Sequence, residues 1–161
     1  MRRISLLIAI VGAAILVTSC NAQKHTTQAY YSHKCEYLNH ELDGSITVRA
    51  YGQGRNRVDA RIQARKNAVY QVIFEGVNVP NNPSLSRPLV YEKNAYEKYM
   101  HIFKYFFEDD GEYEYFIHKH DKRANTNEKS WGGVQMKVAT TITIEREELK
   151  AFLIEQQIIK E

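Results

Sequence analysis

Ser45–Gly76, SITVRAYGQGRNRVDARIQARKNAVYQVIFEG, is the stretch whose reading decides the fold. Ile46, Val48 and Ala50 alternate with Thr47, Arg49 and Tyr51, the period of a strand with one buried face. Gly52 and Gly54 read as the turn that ends it. A long helix follows, on which Ala60, Ala64 and Ala68 recur every four residues and lead into Val72, with Val69 and Ile73 beside them. Arg57, Arg61, Arg65 and Lys66 fall mostly on the outer side. Alanine along the buried stripe lets the helix axis lie close to the sheet.

On the N-terminal side, Cys35 to Leu42 reads as a strand that forms a hairpin with the Ser45 strand. A three-residue loop, Leu42-Asp43-Gly44 with left-handed glycine, sets Leu38 opposite Val48 and His40 opposite Ile46. On the C-terminal side, Val77 to Leu89 holds all three prolines and reads as a loop. A helix is predicted from Glu92 to Phe107. Ala95, Tyr99, Ile102, Phe103 and Phe106 form its core stripe. Tyr96, Tyr105 and Phe107 flank that stripe, more aromatic surface than one face buries, and stand as candidates for partner binding unless the sheet covers them.

Glu108 to Glu112 lacks the alternating acidic spacing of a calcium loop and reads as a solvated turn. Glu112 to His118 then reads as a strand with Tyr113, Tyr115 and Ile117 on one face, followed by a polar loop from Lys119 to Lys129. Beyond Trp131-Gly132-Gly133, Val134, Met136, Val138, Thr140, Ile142 and Ile144 alternate as the inner face of another strand. A last helix, Glu147 to Ile159, docks Leu149 and Phe152 on the sheet, with two carboxylates in its first turn where the helix dipole favours them. The order ββααββα predicts an α+β domain, a two-layer sandwich of a mostly antiparallel four-stranded sheet with three helices.

The first twenty residues have another character. Arg2 and Arg3 precede an apolar run of 14 residues, Ile4 to Val17, short of the roughly 20 that a spanning helix needs. Val17-Thr18-Ser19-Cys20 resembles a lipobox, in which small residues precede a cysteine that becomes the acylated N-terminus. Residues 1–19 are therefore read as a lipoprotein signal peptide, 20–34 as the lipidated Cys20 and a flexible tether, and 35–161 as one domain. Several acyl tails bury enough CH₂ groups to hold a protein on a membrane where a single chain binds only marginally. Removing 19 of the 161 residues leaves 142, with 20 Lys plus Arg against 19 Asp plus Glu. So balanced a chain gives no reason to expect nucleic acid as a partner. Cys35 is then the one remaining thiol, read as a small half-buried apolar residue, with no intramolecular disulfide to make.

The strand ending at Gly52 and Gly54 and the helix carrying Ala60, Ala64 and Ala68 resemble the twenty-kilodalton membrane-associated lipoprotein family of bacteria, and the similarity resumes at Lys137 to Ile159. That family has flagellar outer-membrane accessory lipoproteins among its relatives, and its fold resembles the amino-terminal domain of TolB. The resemblance implies an envelope lipoprotein that works beside a protein partner. No acidic run follows Cys20, which favours an outer-membrane position facing the periplasm.

Catalytic motifs are weighed against plain structural roles. Gly52-Gln53-Gly54 lacks the third glycine of a dinucleotide fingerprint, since that position is Arg57, so no nucleotide or other small-molecule cofactor is expected. His118 and His120 share a strand face and, with Asp121 and Cys35, make the alternative reading of a small metal-binding protein or hydrolase. Two histidines do not make a metal site, and no nucleophile has a base assigned to it. The expectation is a non-enzymatic cell-envelope lipoprotein, an accessory or assembly module docking on a larger complex.

Overall fold

A computed structural model describes residues 35–120 and 136–160. The signal segment, Cys20, the tether, Asp121, most of the predicted polar loop, Trp131 and Val134 lie outside the described residues, as does the side chain of His120. The chain is α+β. Strands β1 (Glu36–His40) and β2 (Ile46–Gly54) form a hairpin, and α1 (Arg57–Tyr70) runs on into a π-helical turn, Gln71–Glu75. Helices α2 (Pro83–Ser86), α3 (Ala95–Lys98) and α4 (Met100–Phe106) follow, then a 3-10 helix, Glu112–Phe116. β3 (Ile117–His120), β4 (Met136–Ile144) and α5 (Arg146–Glu155) complete it. The sheet is four-stranded and antiparallel, in the order β1-β2-β4-β3.

The organising stretch folds as its pattern requires, with one correction. Ile46, Val48 and Ala50 are fully buried, and so are Ala60, Ala64 and Ala68. Gly52, however, does not break the strand: β2 runs through it to end at Gly54, pairing Gly52 with Val138 and Gly54 with Met136. Their role is close approach. A Cβ on Gly52 would sit 2.1 Å from the carbonyl oxygen of Ala60 and 2.4 Å from the nitrogen of Ala64; one on Gly54 would sit 2.5 Å from the nitrogen of Ala60. Glycine on the strand and alanine on the helix bring backbone against backbone. Asn67, buried, fastens the contact by donating Nδ2 to the Tyr51 carbonyl at 2.9 Å, and Asn56 caps α1 by accepting from the nitrogens of Val58 and Asp59.

Five α-helices stand among the described residues where three were expected. Asn82 followed by Pro83 starts α2 inside the predicted loop, an N-cap with proline at the first helical position. The predicted Glu92–Phe107 helix breaks at Tyr99, whose φ of −105° and ψ of 28° close α3 and open α4. Tyr, His and Phe are weak helix formers, and packing of their rings sets the path here. The predicted strand at Glu112–His118 is a 3-10 helix over most of its length; three residues per turn put Tyr113 and Phe116 inward and leave Tyr115 81% exposed. In the first hairpin His40 faces Ile46 as expected and Gly44 has a φ of 86°, but a bulge at Leu38 sets Tyr37, not Leu38, opposite Val48. α5 ends at Glu155 rather than Ile159, and Phe152 stacks on Phe106 (5.2 Å) and meets Phe116 (5.4 Å).

Candidate functional site

The hairpin end of the sheet collects ionisable groups. His118, exposed on β3, places Nε2 2.5 Å from Glu145 Oε1. Glu145 joins β4 to α5, and its position is set by the backbone: its nitrogen donates to the Phe116 carbonyl at 3.0 Å, and its own carbonyl accepts from Leu149. A hydrogen bond with Glu148, one turn along, raises the Glu145 carboxyl above its ordinary value, with desolvation and the charge of Glu148 adding to the rise. Asp43 reaches the same end from the hairpin loop. Its carboxyl is held low by the Ser45 hydroxyl, which donates to it at 2.6 Å, and by the Ser45 nitrogen at 2.9 Å.

The arrangement sets two carboxylates, Glu145 and Glu148, beside the His118 imidazole. Among the described residues no group of three or more His, Cys, Asp or Glu is placed to hold a metal ion. The sign of the pH dependence follows from Glu145. A carboxyl whose folded pKa is raised contributes stability at low pH and loses it as pH rises through the folded value. The Glu145 contribution to the denaturant midpoint should therefore grow as pH falls through its raised folded pKa, and Glu145→Gln should flatten that part of the profile. A Gln variant with the unaltered slope would remove Glu145 as its source.

Cys35 occupies a different place. It precedes β1, at the end of that strand away from the hairpin, and its backbone nitrogen donates to Gln71 Oε1. Gln71 is buried on the π-helical turn and donates Nε2 to the Gly76 carbonyl at 3.0 Å. A cleft of about 500 Å³ opens here, lined by Cys35, Gln71, Glu75, Gly76, Asn78 and Ser86. Burial, and secondarily the charge of Glu75, push the Cys35 thiol up to about 12, so it stays protonated at neutral pH and is a poor nucleophile. Cys35 and His118 are not brought together.

The flanking aromatics part company. Tyr96 stacks on Phe103 with centroids 5.8 Å apart, and Phe107 meets Phe106 edge-on at 4.8 Å; both are half-buried against the core. Tyr105 is 65% exposed, with the Lys104 ammonium 5.9 Å from its ring centroid. Leu38 on the bulge and Tyr115, both expected on strand faces, are exposed, and so are Leu42 at the hairpin tip, Val58, Tyr91 and Met100, which periodicity did not single out. Gly52, Gly54, Ala60, Ala64 and Ala68 serve the strand-to-helix contact already described. Arg146, buried, was also missed: its Nη2 donates to the Arg87 carbonyl at 3.1 Å and to the Ser84 carbonyl at 3.4 Å, tying the segment around α2 to α5.

Comparison with family models, with curated proteins and with solved structures gives no match to this chain.

Proposed function

We propose that the chain is a non-enzymatic bacterial cell-envelope lipoprotein, anchored through acyl chains on Cys20 at the outer membrane facing the periplasm. Its domain acts as an accessory or assembly module that docks on a larger envelope complex. One observation carries the anchor: Val17-Thr18-Ser19-Cys20 closes a 14-residue apolar run that follows Arg2 and Arg3. No helix among the described residues is long and apolar enough to cross a membrane. The docking role draws support from the exposed apolar side chains Leu42, Tyr105 and Tyr115. The alternative, a metal-binding protein or hydrolase using His118, His120 and Asp121, loses support from the way His118 is spent on Glu145.

Cys20→Ser tests the anchor. The variant should carry no acyl mass and should accumulate as unprocessed precursor or as a species released from the membrane fraction. Mature protein that stays in the membrane without acyl mass would sink the reading.

A further inference from the structure

We propose that the end of the domain where β2 passes into α1 is a contact surface for anionic lipid headgroups, so that the anchored domain rests on the membrane by this end. The inference rests on the anchor at Cys20 and adds an orientation to it.

Charge is segregated along the strands. Arg55, Arg57 and Arg61 lie where β2 passes into α1: Arg55 follows the strand, Arg57 opens α1 and Arg61 adjoins Ala60 above the glycines, while Lys137, paired with Gln53, stands at the same end on the other face of the sheet. Arg55, Arg57 and Lys137 are exposed and Arg61 is half-exposed. Among the described residues Arg57, Arg61 and Lys137 form no ion pair. Nearby carboxylates are already engaged, Asp59 with Arg55 at 3.6 Å and Glu36 with Arg49 at 3.7 Å, while Glu75 lies beside Cys35. Val58, 62% exposed, supplies an apolar side chain amid the arginines. The other end of the sheet has the opposite sign: Glu41, Asp43, Glu145, Glu147 and Glu148 cluster about the hairpin, where Glu147 Cγ lies 3.2 Å from the Cβ position of Gly44.

The chain's own path selects the occupant. β1 runs toward the hairpin from Glu36, which pairs with Arg49, so Cys35, the first of the described residues, lies on the side toward which β2 proceeds to Gly54. Residues 21–34 contain Lys24 and Lys34 and neither Asp nor Glu. A random coil of that length would span about 20 Å root-mean-square, and so short a connection to an anchor would give an effective concentration on the order of millimolar. Weak electrostatic attraction is then enough to set the orientation. Each basic residue near an anionic leaflet strengthens attraction roughly fivefold, so three together change the contact equilibrium by about a hundredfold, and salt screens the effect.

The test uses the mature acylated chain in vesicles of phosphatidylglycerol and phosphatidylcholine that carry a headgroup quencher. A thiol-reactive dye is placed at Val58→Cys or, as the far-end comparison, at Leu42→Cys, each in a Cys35→Ser background that leaves no competing thiol in the domain. Quenching should be several-fold stronger at position 58 than at 42. It should vanish at high salt, on pure phosphatidylcholine, and in the background R57Q/R61Q/K137Q. Equal quenching at both positions, or insensitivity to salt and lipid charge, overturns the proposal. A patch made for an acidic protein would leave the position-58 dye unquenched on these protein-free vesicles, which also overturns it. Acyl mass and flotation at high salt report on the anchor separately. If the chain carries no acyl group, salt-reversible sedimentation with the same anionic vesicles, lost in the triple variant, sustains the patch, and its absence overturns the patch as well.

Discussion

Ala64→Arg is expected to cost the domain about 3–5 kcal/mol, the scale on which an uncompensated charge in a protein interior destabilises. Ala64 is fully exposed to protein and not at all to water, and the place its Cβ faces is the backbone of Gly52, whose own Cβ position lies 2.4 Å from the Ala64 nitrogen. An arginine there has neither room nor a carboxylate. Ala64→Leu isolates the steric part and should cost about 1–3 kcal/mol. Gly52→Ala attacks the same contact from the strand side and should have the same sign, because its methyl group would strike backbone that no rotamer change can move. Arg65 is a poor control, since its guanidinium donates to Glu114 Oε1 at 2.8 Å. Arg57→Ala, on the exposed first turn, should stay within about 0.5 kcal/mol of wild type. Denaturant midpoints decide the matter, and an Ala64→Arg domain as stable as Arg57→Ala would mean that the alanine stripe does not face the sheet.

Phe103→Ala should be comparable in size, about 3–5 kcal/mol, for a different reason. Phe103 is fully buried at the centre of an aromatic cluster: Phe74 meets it edge-on at 5.0 Å, Tyr96 stacks on it at 5.8 Å, and Phe106 and Phe107 lie at 6.2 Å. Truncation loses the transfer free energy of the ring and leaves a cavity among rigid neighbours that cannot collapse into it. Against a total stability of about 5–15 kcal/mol, such a loss brings the domain near its folding threshold. Tyr105→Ala, two residues along and exposed, should change the midpoint little. Equal effects at 103 and 105 would show that the ring at 103 is not surrounded as described.

These two sites differ in how far local pattern reveals them. The alternation of Ile46, Val48 and Ala50 and the stripe of Ala60, Ala64 and Ala68 are short-range signals, and both faces end up buried. From sequence Gly52 reads as a turn, because the sequence of one strand says nothing about what lies above it. The distinction between turn and close approach resides in a helix backbone. Tyr99 was invisible for a similar reason: a one-residue break keeps Ala95, Phe103 and Phe106 on the buried side, so the period survives while the helix does not. The pairing of His118 with Glu145 has no local signature, since the two meet only after β3 has found β4. Asn82-Pro83 carries a local helix-start signal, an N-cap followed by proline, set among three prolines that by composition suggest a loop.

The bulge at Leu38 bears on how copies of this chain behave beside one another. β1 is an outer strand of the sheet, and such a strand offers unpaired backbone groups to any similar strand that comes alongside. Two neighbouring residues of β1 set against one of β2 interrupt the regular spacing of those groups and increase the local twist. If the proposed acyl anchor holds the chain at a membrane, copies would meet in two dimensions at densities far above those in free solution. Under such crowding an irregular margin would act against sheet-to-sheet polymerisation.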